Sequence, residues 1–365
     1  MRQAFSAAAS GTALDRIEPA GRSLAVALWL WAIAGLVFAM IVVGGATRLT
    51  DSGLSITEWQ PLLGAIPPWS QADWLIAFEK YKQIPEYSLV NAGMTLDAFK
   101  AIYWWEWAHR FLGRVIGLAV ALPLIAFWMA GRLRPGLAPK VLGVLALGGM
   151  QGVIGWYMVS SGLSERVDVS QYRLALHLTT AFIIFGSLVW LARDESAHFA
   201  PVSGEAASRA VSTSASVIVA LVLMQVVLGA LVAGLKAGLV YNTWPDMNGA
   251  FVPADYWTTT PAFLSLFESH AAVQFNHRIT AYLLGGVALV HVLAIVRRPL
   301  DHRIRWSAFA LLGAVAIQMV IGIATLLAHV PISLGLLHQG GGALVLAIAV
   351  WHVHAIVKAG VVARR

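Results

Sequence analysis

Cysteine is absent from the 365 residues, and charged residues make up only 12% of them. The first absence excludes disulfides, iron–sulfur clusters, thiolate-ligated haem and covalent haem attachment through a C-x-x-C-H motif. The second excludes an ordinary water-soluble domain, in which about a quarter of residues are charged. The charges that are present sit in short patches between apolar runs of about twenty residues, long enough to cross a bilayer core of about 30 Å. Hydrophobic residues reach 59% and the mean hydropathy is +0.73. The net charge of +7 does not mark a nucleic-acid binder, because the basic residues flank apolar spans rather than forming a stripe. With no thiol in the chain, any metal falls to the 11 histidines, the carboxylates or methionine.

Eight apolar segments are expected as membrane helices: 24–45, 108–130, 141–159, 174–192, 216–236, 279–296, 306–328 and 334–357. The fold class is therefore an all-α integral membrane protein. The first segment is too long for a signal-peptide core and has no evident cleavage site. Basic residues cluster on alternate sides: Arg2, Arg16 and Arg22, then Arg132, Arg134 and Lys140, then Arg193 and Arg209, then Arg297, Arg298, Arg303 and Arg305, and finally Lys358, Arg364 and Arg365. The positive-inside rule places both termini in the cytoplasm, in agreement with an even span count, and the two long Trp- and Pro-rich loops on the outer face. The short leader, with Asp15 and Glu18, favours a bacterial inner membrane over a mitochondrial one. In the first long loop, Trp74, Leu75, Phe78 and Tyr81 have helical spacing and are expected to lie along the membrane interface.

The two halves repeat each other. Gly53, Leu54, Trp59, Gly64 and Pro68 match Gly238, Leu239, Trp244, Gly249 and Pro253 at a constant offset of 185. His109-Arg110 matches His277-Arg278 at 168, and Gln151, Val153, Ile154 and Gly155 match Gln318, Val320, Ile321 and Gly322 at 167. His177 matches His338 at 161. Each half is thus a four-span unit, and the even span number gives both units the same orientation. The expected organisation is a cytoplasmic leader (1–23), a first four-helix bundle (24–192), a cytoplasmic linker (193–215), a second bundle (216–357) and a cytoplasmic tail (358–365).

His109, His177, His277 and His338 fall near the outer ends of even-numbered spans. Two imidazoles facing each other across a four-helix bundle form a natural bis-histidine haem site, and Arg110, Arg173 and Arg278 are placed to neutralise haem propionates. The bland reading of a lone histidine here is a packing or interfacial residue, but four repeat-related histidines with arginine neighbours argue against it. Zinc is the other candidate, although no H-E-x-x-H cluster is present. The halves differ at Glu106, three residues before His109, whose counterpart is Gln274. A carboxylate can relay or accept protons and an amide cannot, so the first half is expected to do chemistry and the second to hold an electron-carrying cofactor; the alternative is an interfacial Glu106 paired with Arg110. His291 and His352 each lie 14 residues after a second-half histidine, about 21 Å along a helix. A two-haem cytochrome b has that spacing. The first half has Pro123 and Leu191 at the matching places, so His291, His352 and His354 are read as interfacial, and His198, His270, His302 and His329 receive no role.

The run Gly44-Gly45-Ala46-Thr47-Arg48-Leu49-Thr50 with Gly53-Leu54-Ser55 and Glu58-Trp59 resembles the haem A synthase family. So do Glu106-x-x-His109-Arg110, Tyr172-Arg173-Leu174-Ala175-x-His177, Asn242-Thr243-Trp244-Pro245, Asn276-His277-Arg278 and His338-Gln339, together spanning nearly the whole chain. The absence of cysteine is similar to the subgroup shared by proteobacteria and mitochondria. The resemblance implies conversion of haem O, the product of haem O synthase, to haem A by two hydroxylations of the C8 methyl and loss of water. It implies His277 and His338 as axial ligands of haem b, His109 and His177 as holders of the substrate haem, and Glu106 as an acid–base group. A cytochrome b-like electron carrier or quinol oxidoreductase is the rival reading, and a haem transporter a third. No residue pattern identifies the electron donor, and a homo-oligomer is compatible with the composition.

Overall fold

The computed structural model describes residues 23–60, 63–163, 167–196 and 207–362. The leader with Asp15, Glu18 and its arginines, residues 197–206 of the expected linker with His198, and the terminal Arg364 and Arg365 lie outside the described residues.

Eight long apolar helices are candidate membrane spans, as expected of a multi-pass membrane protein: α1 (Leu24–Leu49), α2 (Leu96–Met129), α3 (Leu137–Ser160), α4 (Gln171–Ser196), α5 (Arg209–Gly234), α6 (His270–Val296), α7 (His302–Leu327) and α8 (Ile332–Val362). Two begin well before their apolar segments. Thr95 caps α2 by accepting from the Ala98 amide at 3.2 Å, and Ser269 caps α6 by accepting from Ala272 at 3.3 Å. Hydropathy locates the lipid-facing stretch, whereas the hydroxyl caps locate the helix start. Glu106 therefore lies inside α2 and shares a face with His109.

The helix Gln71–Tyr81 opens with a capping box between Ser70 and Asp73. Its apolar stripe packs against protein rather than facing outward. Trp74, Phe78 and Tyr81 are buried against Phe99 and Tyr103 at the N-terminal end of α2, and only Leu75 of the expected set is exposed. The aromatic area buried on α2 outweighs shallow insertion into headgroups.

Packing closes each set of four helices into a ring: α1 meets α2 and α4, which are joined through α3, and α5 meets α6 and α8, which are joined through α7. The rings meet along α1, α4, α5 and α8, where Leu30, Ile33, Phe185, Leu188, Ile218 and Leu346 belong to one buried cluster. Outward faces of α2 and α3 expose Leu118, Leu122, Ile125, Leu142 and Val153, as lipid contact requires. Apolar packing alone gives little specificity in lipid, so polar ties fix the seam. Gln339 Nε2 donates to the Ile41 carbonyl at 2.6 Å, joining α8 to α1. Arg48, ending α1, donates to the Ala233 and Gly234 carbonyls that end α5, at 3.2 and 3.3 Å, and pairs with Asp51 and Asp168. At the opposite end, Arg134 pairs with Asp194 and Glu195 of α4, and Lys358 of α8 reaches Asp194 at 2.5 Å.

The reading of His291, His352 and His354 as interfacial is corrected: they are 2%, 0% and 2% exposed. His291 Nε2 and His352 Nε2 lie 2.7 Å apart, and each Nδ1 meets a serine, Ser214 at 2.7 Å and Ser307 at 2.8 Å. Four short polar side chains from four helices satisfy one another, which is what permits their burial. His354 lies 3.6 Å from Asp194. His270 and His302 open helices, and His329 is in the turn between α7 and α8.

Candidate functional site

Each ring brings together the two histidines that its sequence repeat pairs. His109 of α2 and His177 of α4 have ring centroids 6.4 Å apart; His277 of α6 and His338 of α8 are 6.2 Å apart. Two metal–imidazole bonds of about 2.0–2.1 Å plus two ring radii of about 1.1 Å call for roughly 6.3 Å, so both gaps suit one metal between two imidazoles. By contrast, the centroids of His291 and His352 are 5.0 Å apart with the nitrogens in direct hydrogen-bond contact, which leaves no such gap. Among the described residues no three His, Asp or Glu gather as a metal site. A two-histidine pair therefore suits a metal that brings its own equatorial ligands.

Every one of the four rings lies against a glycine of the neighbouring helix. A Cβ at Gly44 would stand 3.2 Å from His109, at Gly155 3.1 Å from His177, at Gly229 3.1 Å from His277 and at Gly322 2.7 Å from His338. Gly44 and Gly229 are themselves repeat-related, as are Gly155 and Gly322. Glutamines add polar ties: Gln151 donates to the His177 carbonyl at 2.8 Å, Gln225 to that of His277 at 2.8 Å and Gln318 to that of His338 at 2.7 Å. The repeat matches already contain Gln151, Gln318 and two of the glycines. Gln225 was invisible in the sequence because its first-half counterpart is Met40.

Glu106 is 2% exposed and pairs with Arg110, as the alternative reading of it anticipated, but in a buried rather than an interfacial setting. Oε2 accepts from Ser55 Oγ and the Ile56 amide, both at 2.7 Å; Oε1 accepts from Arg110 Nε at 3.0 Å and Nη2 at 2.6 Å. A proton reaches this carboxylate only by displacing one of four donors. Arg110 also donates to the Ile56 and Glu58 carbonyls, and Arg278 to the repeat-equivalent Tyr241 carbonyl and to Asp246. Gln274 keeps the local fold without the charge, donating to Ala237 and Tyr241 and accepting from Arg278. Arg173 stacks on Tyr157 at 3.7 Å and commits only Nη1, to the Tyr157 carbonyl and Ser160.

On the loop side, a cavity of about 410 Å³ lies over Arg110, lined also by Ser55, Glu58, Lys80, Tyr103 and Arg114. Close by, buried Glu86 is pushed up to about 7 by burial and by the charges of Asp51, Glu106 and Asp168. A second cavity of about 730 Å³ is apolar and lies on the seam. On α4 its Phe182, Gly186 and Trp190 fall on the face opposite His177, so it does not serve the histidine pair.

Residues 27–350 match the model of the cytochrome oxidase assembly protein family (COX15-CtaA). The chain belongs to this family. Curated relatives agree over nearly their whole length. The chain is 50% identical over 336 residues to the heme A synthase of Parvibaculum lavamentivorans, covering 92% of this chain and 95% of the relative. It is 51% identical to that of a Chelativorans species, covering 90% of each chain. It is 50% identical to that of Mesorhizobium japonicum, covering 96% of this chain and 94% of the relative. The family match spans both rings, so both histidine pairs belong to the matched region.

Proposed function

We propose that the protein is a haem A synthase, an oxidoreductase that converts the C8 methyl of haem O to a formyl group by two successive hydroxylations and loss of water. The observation that carries the reading is two equivalent histidine gaps of 6.4 and 6.2 Å, of which only the first has a buried carboxylate, Glu106, on the same helix face. His277 and His338 hold haem b, which supplies single-electron transfer. The fit rests on the gap width, on Gly229 and Gly322 beside the rings, and on the buried His277 Nδ1 that has no protein partner. His109 and His177 hold the iron of the substrate, haem O, which haem O synthase supplies. The substrate site thus belongs to 24–192 and the haem b site to 216–357. The bias of basic residues supports a cytoplasmic side for the leader 1–23, linker 193–215 and tail 358–365 and an outer-face position for the histidine pairs, and the bacterial relatives support an inner membrane.

Glu106 acts as the proton-relay group, exchanging one of its four donors when it takes up a proton. Arg110 and Arg278 chiefly clamp the outer loops, whereas Arg173 keeps the most N–H groups for a propionate. The direct His291–His352 contact weighs against the two-haem cytochrome b alternative. Expression with a haem O supply, followed by extraction and mass-resolved chromatography of the haems, should yield haem A or its hydroxylated precursor. Haem B alone, with haem O available and the protein folded, refutes the reading in favour of an electron carrier. Glu106→Gln should stop product formation and leave the haem b content unchanged.

A further inference from the structure

Three of the four histidines are gripped by a glutamine from a neighbouring helix, and the fourth is not. In the second ring Gln225 holds the His277 carbonyl at 2.8 Å and Gln318 that of His338 at 2.7 Å. In the first ring Gln151 holds the His177 carbonyl. His109 has no such hydrogen bond among the described residues. The place of Gln225, four residues before the ring-facing glycine, is taken by Met40 four residues before Gly44. Its thioether has no proton to donate. The Met40 methyl instead lies 3.5 Å from where a Gly113 Cβ would stand, on the α2 face one turn beyond His109. Of the His109 ring, Nε2 is the atom nearest Gly44, so the ring has small residues beside it and no polar tie to hold it.

We propose that His109 is the displaceable ligand of the substrate iron and His177 the fixed one. Met40 is then a positioning residue: by withholding the bond that Gln225 makes to the His277 carbonyl, it leaves His109 untied to α1 and free to swing aside. The second ring, braced at both histidines, stays closed. This rests on the assignment of the substrate haem to His109 and His177.

The test uses the full-length protein reconstituted with haem B in both rings, with haem stoichiometry from the pyridine haemochrome and carbon monoxide as the probe of an open ferrous iron. The wild type should hold two haems, one of them reactive. Met40→Gln should keep both haems and lower the carbon monoxide-reactive fraction about fivefold, the population shift of one neutral hydrogen bond. Gln225→Met should make the second-ring haem reactive to a similar extent, a result that does not depend on the first ring tolerating a new amide. Unchanged reactivity in both variants, or a rise caused by Gln151→Met with no effect of Met40→Gln, overturns the choice of His109. A single haem in the wild type, retained by both His109→Ala and His177→Ala, instead removes the substrate-haem assignment itself.

Discussion

Replacing Gly322 by alanine puts a methyl group where the His338 ring already lies. The new Cβ would stand 2.7 Å from Cε1 and 3.3 Å from Nδ1, against about 3.5–4.0 Å for an unstrained contact. Relief requires the ring to turn or α7 and α8 to separate, and Gln318, one turn earlier on α7, ties α7 to the His338 carbonyl at 2.7 Å. Overpacking of this kind costs about 1–3 kcal/mol, which is roughly a 5- to 150-fold change in an equilibrium constant. The strain falls on the ligand orientation, so affinity for the proposed haem b should drop by roughly 5- to 150-fold. The pyridine haemochrome per mole of purified protein measures this directly. Gly313→Ala is the matched control: it lies on the same helix with nothing within 4 Å of the added Cβ, and alanine there should be neutral or stabilising by about 1 kcal/mol. Full haem content and an unaltered spectrum in Gly322→Ala would refute the argument that this close approach orients the ligand.

Two further outcomes follow from buried groups outside the histidine gaps. Glu86, at about 7 in the folded protein against an ordinary 4.5, binds one more proton folded than unfolded between those values. Its contribution to stability is therefore complete below about pH 4.5 and is lost as pH rises through 7. Amide exchange across residues 82–95 should speed up between pH 5 and 8 beyond the intrinsic rate change, and Glu86→Gln should flatten that excess; an identical profile in the variant excludes Glu86 as its source. His291→Ala breaks the Ser214–His291–His352–Ser307 chain and leaves buried polar groups unpaired, at a cost of about 1–3 kcal/mol. Thermal unfolding should shift downwards with haem content unchanged, whereas loss of a haem would restore the two-haem arrangement.

The eight spans were legible because hydropathy and charge clustering report directly on lipid contact, and the histidine quartet was legible because repetition at offsets of 185, 168, 167 and 161 marks equivalent positions. The start of α2 was not. Tyr103, Trp104, Trp105 and Glu106 are too polar for an apolar window, yet they continue a helix that Thr95 caps. Helix phase was also hidden, so nothing in the sequence put Gly44 beside His109 or turned the Trp74 stripe onto α2. His291 and His352 were misread for the same reason: a polar residue in an apolar span is affordable once a partner on another helix faces it, and that partner is 61 residues away.

The bond from Gln339 to the Ile41 carbonyl joins residues 298 positions apart, so α1 is held by a helix made much later. At about 5–20 residues per second, α1 waits roughly 15–60 s in the membrane for α8. Throughout that interval the seam face of the first ring is not covered by α8, and the α1 face around Gly45 meets lipid instead of Gln339. Closing of the seam is thus a late event, which waits until α8 has entered the membrane.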